Sequence, residues 1–246
     1  MVRLAALLLA LVVLVPFSLV HADAMGTART IKSDLDEDKL VEAFENWQME
    51  EDSILDSTDA SFVVGEAFSA FGAKPAVLRY RDLPGQCAEI AVACAEALEE
   101  GLDEVDLKGR LRLSRLELKN AFLLRKCGKG AEADEQEDAA KKNLVEITED
   151  EEAPVEAFIA LGQVYVALVE REPPKAEEHL QTATDLFSKA REAGGASASL
   201  CLSEGQLKVR LAELKCDELK KLGKKNRKLE KIVKESYGEA LGCFEQ

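Results

Sequence analysis

Proline and aromatic residues are scarce in this chain, with six prolines and 5% aromatics in 246 residues. Scarce proline leaves long stretches free to be helical, because each proline removes a backbone donor and clashes with the preceding turn. No segment alternates apolar and polar residues over the length of a strand, so nothing asks for a half-buried sheet. Histidine is nearly missing, with two residues, His21 and His179. There is no CxxC, HExxH, GxSxG or GxxxxGK[ST] pattern, which removes the spacing signatures of dithiol or zinc sites, zinc proteases, nucleophile elbows and phosphate loops.

What the chain has in excess is Ala, Leu, Glu and Lys, good helix formers, and an all-α protein is expected. The first 24 residues, MVRLAALLLALVVLVPFSLVHADA, supply Arg3, an apolar run from Leu4 to Val15, and then Pro16 and Ser18. Two small-residue cleavage sites follow, Val20-His21-Ala22 and Ala22-Asp23-Ala24. This is the form of a secretory signal peptide; a spanning helix needs about 20 apolar residues, more than are present here. A leader that is removed places the chain in the secretory lumen or outside the cell; a retained leader would anchor it to a membrane.

The formal net charge of −15 repels nucleic acid and anionic lipid, so any such contact has to come from a local basic patch. One exists near the end. Lys208 to Lys234 holds eleven Lys or Arg against four acids, and Lys220, Lys221, Lys224, Lys225, Arg227 and Lys228 are candidate partner-binding residues. The leader argues against nuclear delivery and nucleic acid. Anionic lipid, glycosaminoglycan or an acidic partner segment remains, beside the simpler role of solvating the last helix and balancing acidic neighbours. Between Ala131 and Glu156 there are eleven acids and two lysines, without the carboxylate spacing around a glycine that calcium loops require. No metal ligand, cofactor or catalytic residue is assigned. With His21 in the leader, a histidine site would have to be built on His179, which reads as a surface or hairpin-packing residue.

All six cysteines, Cys87, Cys94, Cys127, Cys201, Cys216 and Cys243, follow the leader, and an even number in a secreted chain makes them candidates for disulfides. Cys87 and Cys94 fall in one helix about 10 Å apart, too far to bridge each other. Cys201 and Cys216 sit about 22 Å apart if their helix is continuous. Any bridge must join different helices, for example Cys87 or Cys94 to Cys127. Cysteine is also a small buried hydrophobe, and the six fit that role equally.

Along the chain, residues 25–33 read as a flexible lead-in, and Asp34 with Glu37 as the capped start of a helix over about 35–50. An apolar segment around Phe62 to Phe71 follows. Gln86 to Glu100 is helical, with Gly101 as its candidate C-cap. Helices then come in pairs: Asp106 to Lys126 with Ala131 to Thr148, Pro154 to Arg171 with Lys175 to Ala193, and Ser197 to Leu222 with Lys224 to Phe244. The expected organisation is a leader over 1–24, an N-terminal helical segment with linkers over 25–85, a helical-repeat domain over 86–222 and a basic C-terminal helix over 223–246.

Sliding the chain by 43 residues places Leu118 on Leu161, Phe122 on Tyr165, Ala133 on Ala176 and Ala140 on Ala183. A helix pair repeated at such a period is the mark of antiparallel hairpins stacked as a short α-solenoid. Within it, Leu161-Gly162 and Tyr165 match the Leu-Gly-x2-Tyr of a first helix, and Ala176, Leu180 and Ala183 the small-x3-large-x2-small pattern of a second. Residues 155–190 thus resemble a tetratricopeptide repeat. The longer period and Pro173-Pro174 depart from that family toward HEAT-like repeats. The resemblance implies a non-catalytic adaptor or scaffold that captures a peptide or helix of a protein partner. A signal-anchored accessory subunit of a membrane-associated complex is the second reading. On packing grounds alone, Gly162 and Ala183 let helix axes approach, so a large side chain at either overpacks the hairpin.

Overall fold

The computed structural model describes residues 24–103, 106–194, 197–222 and 227–244; at 218–222, 227–230, 236 and 244 it describes the backbone alone. Every regular element among them is helical. The chain is all-α, and its helices pack on their neighbours. It divides into two compact units between Asn143 and Leu144.

The first unit begins with α1 over 24–36 and α2 over Leu40–Leu55. Residues 25–33 are therefore helix, not a flexible lead-in. Ala24, Ala28, Ile31 and Leu35 recur at helical spacing and are buried, a stripe whose short side chains are masked by the threonines and basic residues between them. The helix start expected at Asp34 is instead the end of α1. The turn passes through Asp38 at φ 59°, and Lys74 secures it by donating to the Leu35 carbonyl and pairing with Asp38. On α2, Phe44 and Trp47 meet Phe68 of α3 (Thr58–Gly72) edge to face, with ring centroids 5.2 and 6.3 Å apart. Ser57 caps α3, its hydroxyl accepting from the Ala60 N–H.

Next come α4 (Leu83–Gly101), α5 (Leu107–Lys126) and α6 (Gly130–Thr148). The α3–α4 pair is spaced by what its side chains lack. A Cβ on Gly65 would lie 2.9 Å from the Cys94 Cβ, and one on Gly72 2.8 Å from the Cys87 Cβ; at the far end, one on Gly101 would lie 2.4 Å from the Thr58 methyl. Thr58, Gly65 and Gly72 thus face Gly101, Cys94 and Cys87 in antiparallel order, seven residues apart on both helices. Such a period keeps one seam in register along a helix pair. Gly101 serves this close approach and is not a C-cap; it is the last helical residue, ahead of Leu102. The other neighbours of Gly65 and Gly72 are Leu116 and Leu123 of α5, again seven apart. Asp106 caps α5 by accepting from the Gly109 N–H at 2.9 Å, and Gly128 ends the chain's turn there at φ 79°, where a side chain would be strained.

The second unit contains α7 (Val155–Arg171), α8 (Ala176–Gly194), α9 (Ala198–Leu222) and α10 (Arg227–Phe244). Pro154 sits at the N-cap of α7, and Pro173 opens a single 3-10 turn before α8. Contacts of Gly194 with Val155 and of Gly162 with Phe187 make α7 and α8 an antiparallel hairpin. Helix α9 lies along α7 in the same direction, since Gln163 meets Ser203 and Glu170 meets Arg210, and it also touches α8. The first unit has the same internal plan: α5 runs with α3 through Asp59–Arg112 and Glu66–Lys119 while also packing on α4. In each unit a hairpin receives a third helix, and the bridging pairs step by seven residues.

Candidate docking site

The six residues that carry the repeat pattern come together in the α7–α8 hairpin. Leu161, Gly162, Ala176, Leu180 and Ala183 are buried, and Tyr165 is half-buried. The Phe187 ring covers Gly162, at 2.3 Å from the nearest position a Cβ would take. Leu180, Ala183 and Phe187 share one core with Ile159, Leu200 and Leu207, so α9 closes what the hairpin cannot cover alone. His179 is buried beside Tyr165, ring centroids 5.8 Å apart, with Nε2 3.3 Å from Glu172. It packs the hairpin. At Leu118 and Phe122 the 43-residue alignment does not carry over in burial: Phe122 is 51% exposed, whereas Tyr165 faces the core.

Two hollows open on this unit. One, of about 740 Å³, follows the junction of α8 with α9 and α10. Leu180, Phe187 and Leu207 form its floor, Leu211 its lip, and Thr184 and Ser188 an exposed polar wall. Lys215–Glu177, Arg191–Glu204 and Lys208–Glu239 pair across it. The other, of about 890 Å³, lies between the end of α7, the proline turn, α9 and Tyr237 of α10. Val169 and Leu214 line it, as do the carboxylates of Glu170, Glu177, Glu213 and Asp217. In the first unit, a hollow of about 220 Å³ is bordered by Lys32, Lys74 and Lys119, each paired with an acid.

The sequence pattern grouped Lys208, Arg210 and Lys215 with the basic patch. In the structure Arg210 is held by Glu170 and Glu213, and Lys215 by Glu177, so these three cations balance acidic neighbours within the unit. The partner-binding candidates Lys224 and Lys225 lie outside the described residues, as do the side chains of Lys220, Lys221, Arg227 and Lys228. Some residues that build the two hollows were singled out by sequence in other roles, Ala176 and Leu180 in the repeat pattern, Cys216 and Cys243 among the disulfide candidates and Lys208, Arg210 and Lys215 in the basic patch, but not as walls of a hollow. The one signal was helical spacing of Leu207, Leu211 and Leu214, which generic amphipathicity explains equally well.

All six cysteines are free thiols, and none is within bonding distance of another. A disulfide from Cys87 or Cys94 to Cys127 is absent from this structure. The first two instead serve as the small residues of the α3–α4 seam, and burial pushes both thiols up to about 12. Among the described residues no group of three His, Cys, Asp or Glu side chains could hold a metal ion. No described helix is long and apolar enough to cross a membrane.

Glu117 of α5 is a charge-bearing group at 3% exposure, with no hydrogen-bond partner at Oε2. Burial pushes its carboxyl up to about 7; a hydrogen bond from Asn143 opposes this, and Glu99 adds to it. One turn on, Asn120 donates to the Ala91 carbonyl while its own Oδ1 stays unpartnered.

Comparison with family models, curated proteins and solved structures finds no match for this chain.

Proposed function

We propose that this chain is a helical-repeat adaptor of the tetratricopeptide-like kind, a non-catalytic protein that docks a segment of a protein partner in the secretory lumen. The observation that supports the reading best is the 740 Å³ groove of the second unit, an apolar floor between walls bridged by three ion pairs. Sites that take peptide segments are of this form: concave, apolar at the base and polar at the edge. The Leu-Gly-x2-Tyr and Ala-x3-Leu-x2-Ala patterns lie in the hairpin beneath it, and the leader supports the compartment.

Ser188→Trp fills the groove from its exposed wall without touching the floor. Affinity purification of the full chain from its native compartment should recover a partner with wild type and lose it with the variant, at unchanged circular dichroism. Equal recovery by both would refute docking in this groove. The purified chain's N-terminus tests the compartment: Asp23 or Met25 means a removed leader, whereas a retained Met1 supports the membrane-anchored accessory subunit.

A further inference from the structure

We infer that a leader peptidase of the secretory pathway cuts this chain at the Ala22–Asp23 bond, and that Ala24, which the second small-residue site would remove, stays in the mature protein. This rests on the secretory part of the reading above and narrows it to one processing site. The sequence pattern leaves the two bonds equal, with Val20 and Ala22 ahead of one and Ala22 and Ala24 ahead of the other.

The fold separates them. Ala24, Ala28, Ile31 and Leu35 recur at the spacing of one helix face along α1, and each is at most 2% exposed. They share a core with Ala43 and Trp47 of α2 and with Phe68 and Phe71 of α3. Ala24 is the first described residue of the helix and wholly buried, and Met25 beside it is half-buried against the same core. The far end of α1 is tied down as well, since Lys74 donates to the Leu35 carbonyl and Asn46 to the Asp34 carboxylate.

Cleavage is hydrolysis: one water adds across the amide, the leader leaves with a carboxylate and the next residue keeps the nitrogen as an α-ammonium. At Ala24–Met25 this would remove the first member of the buried stripe, together with the carbonyl to which a helical Ala28 N–H bonds. It would also put a positive charge on half-buried Met25 in the first turn, where the helix dipole and burial both oppose it. At Ala22–Asp23 the whole stripe is kept and the new charge falls ahead of Ala24. The residue carrying it is an aspartate, whose carboxylate offsets that charge and is of the type favoured before a helix. The peptidase acts before folding, so the fold bears on the choice through the product: a chain that keeps Ala24 builds α1 in full.

The test expresses the full coding sequence in a secreting host and reads the N-terminus of the secreted chain by intact mass and terminal peptide mapping. Asp23 is expected. Met25 would overturn the inference and leave the leader reading intact, whereas Met1 would overturn both. Two leaderless chains released from a fusion, one beginning at Asp23 and one at Met25, test the cause without the peptidase. The shorter should melt about 4 °C lower when followed by Trp47 fluorescence. Equal melting temperatures would show Ala24 to be dispensable and overturn the argument.

Discussion

Glu117→Gln should flatten the pH dependence of the first unit. In the folded chain this carboxyl releases its proton near 7, whereas an unfolded glutamate does so near 4.5. Between those values the folded state holds more protons than the unfolded one, so stability is greatest at the acid end and falls as pH rises. The slope reaches about 1.4 kcal/mol per pH unit, and the whole loss between pH 4.5 and 8 is about 3 kcal/mol. The physical cause is a carboxylate that must ionise at 3% exposure, facing Glu99 of α4 and with only the Asn143 hydrogen bond of α6 in compensation. Arg110 reaches the same asparagine at 3.4 Å. Glutamine keeps the shape and cannot ionise. The assay is urea unfolding followed by the fluorescence of Trp47, the single tryptophan, which is buried in this unit and so reports on it alone. Relative to wild type, the variant should gain stability as pH rises from 5 to 8 and exceed it at pH 8 by as much as about 3 kcal/mol. Parallel curves, with a constant difference across that range, would refute the account.

Gly162→Ala tests the second unit. Alanine adds about 1 kcal/mol of helix propensity, but its Cβ would stand 2.3 Å from a Phe187 ring carbon, and overpacking costs about 1 to 3 kcal/mol. The variant should melt several degrees lower by circular dichroism; an unchanged or higher melting temperature would contradict the packing of this hairpin. For the thiols, iodoacetamide at pH 8 followed by peptide mass mapping should modify the half-buried Cys127, Cys216 and Cys243 and leave Cys87 and Cys94 unmodified until urea is added. Early labelling of Cys94 would show that the α3–α4 seam is open in solution.

Local rules carried much of the fold. Asp106 as a cap, the stop at Cys127-Gly128, Pro154 before α7 and the turn at Pro173 each have a short-range cause, and each lies where the sequence places it. Helix α1 was hidden because alanine contributes little to an apolar pattern interrupted by Thr27, Arg29, Thr30 and Lys32. The seven-residue spacing of Cys87 and Cys94 was visible, but its meaning depends on Gly65 and Gly72 opposite, and that pairing joins helices distant in sequence. The hollows were less legible still. Glu170 and Arg210 are forty residues apart, and nothing local to either announces that they meet, so an excess of lysine and arginine resembled a free patch where part of it is already matched.

The shared direction of α3 with α5, and of α7 with α9, has an electrostatic consequence. Antiparallel helices within a hairpin cancel each other's dipoles, whereas neighbours pointing the same way set like poles side by side. The acid-to-base rungs at Asp59–Arg112, Glu66–Lys119 and Glu170–Arg210 bridge those like-oriented neighbours. Attachment of the third helix therefore has an ionic component, which added salt should loosen.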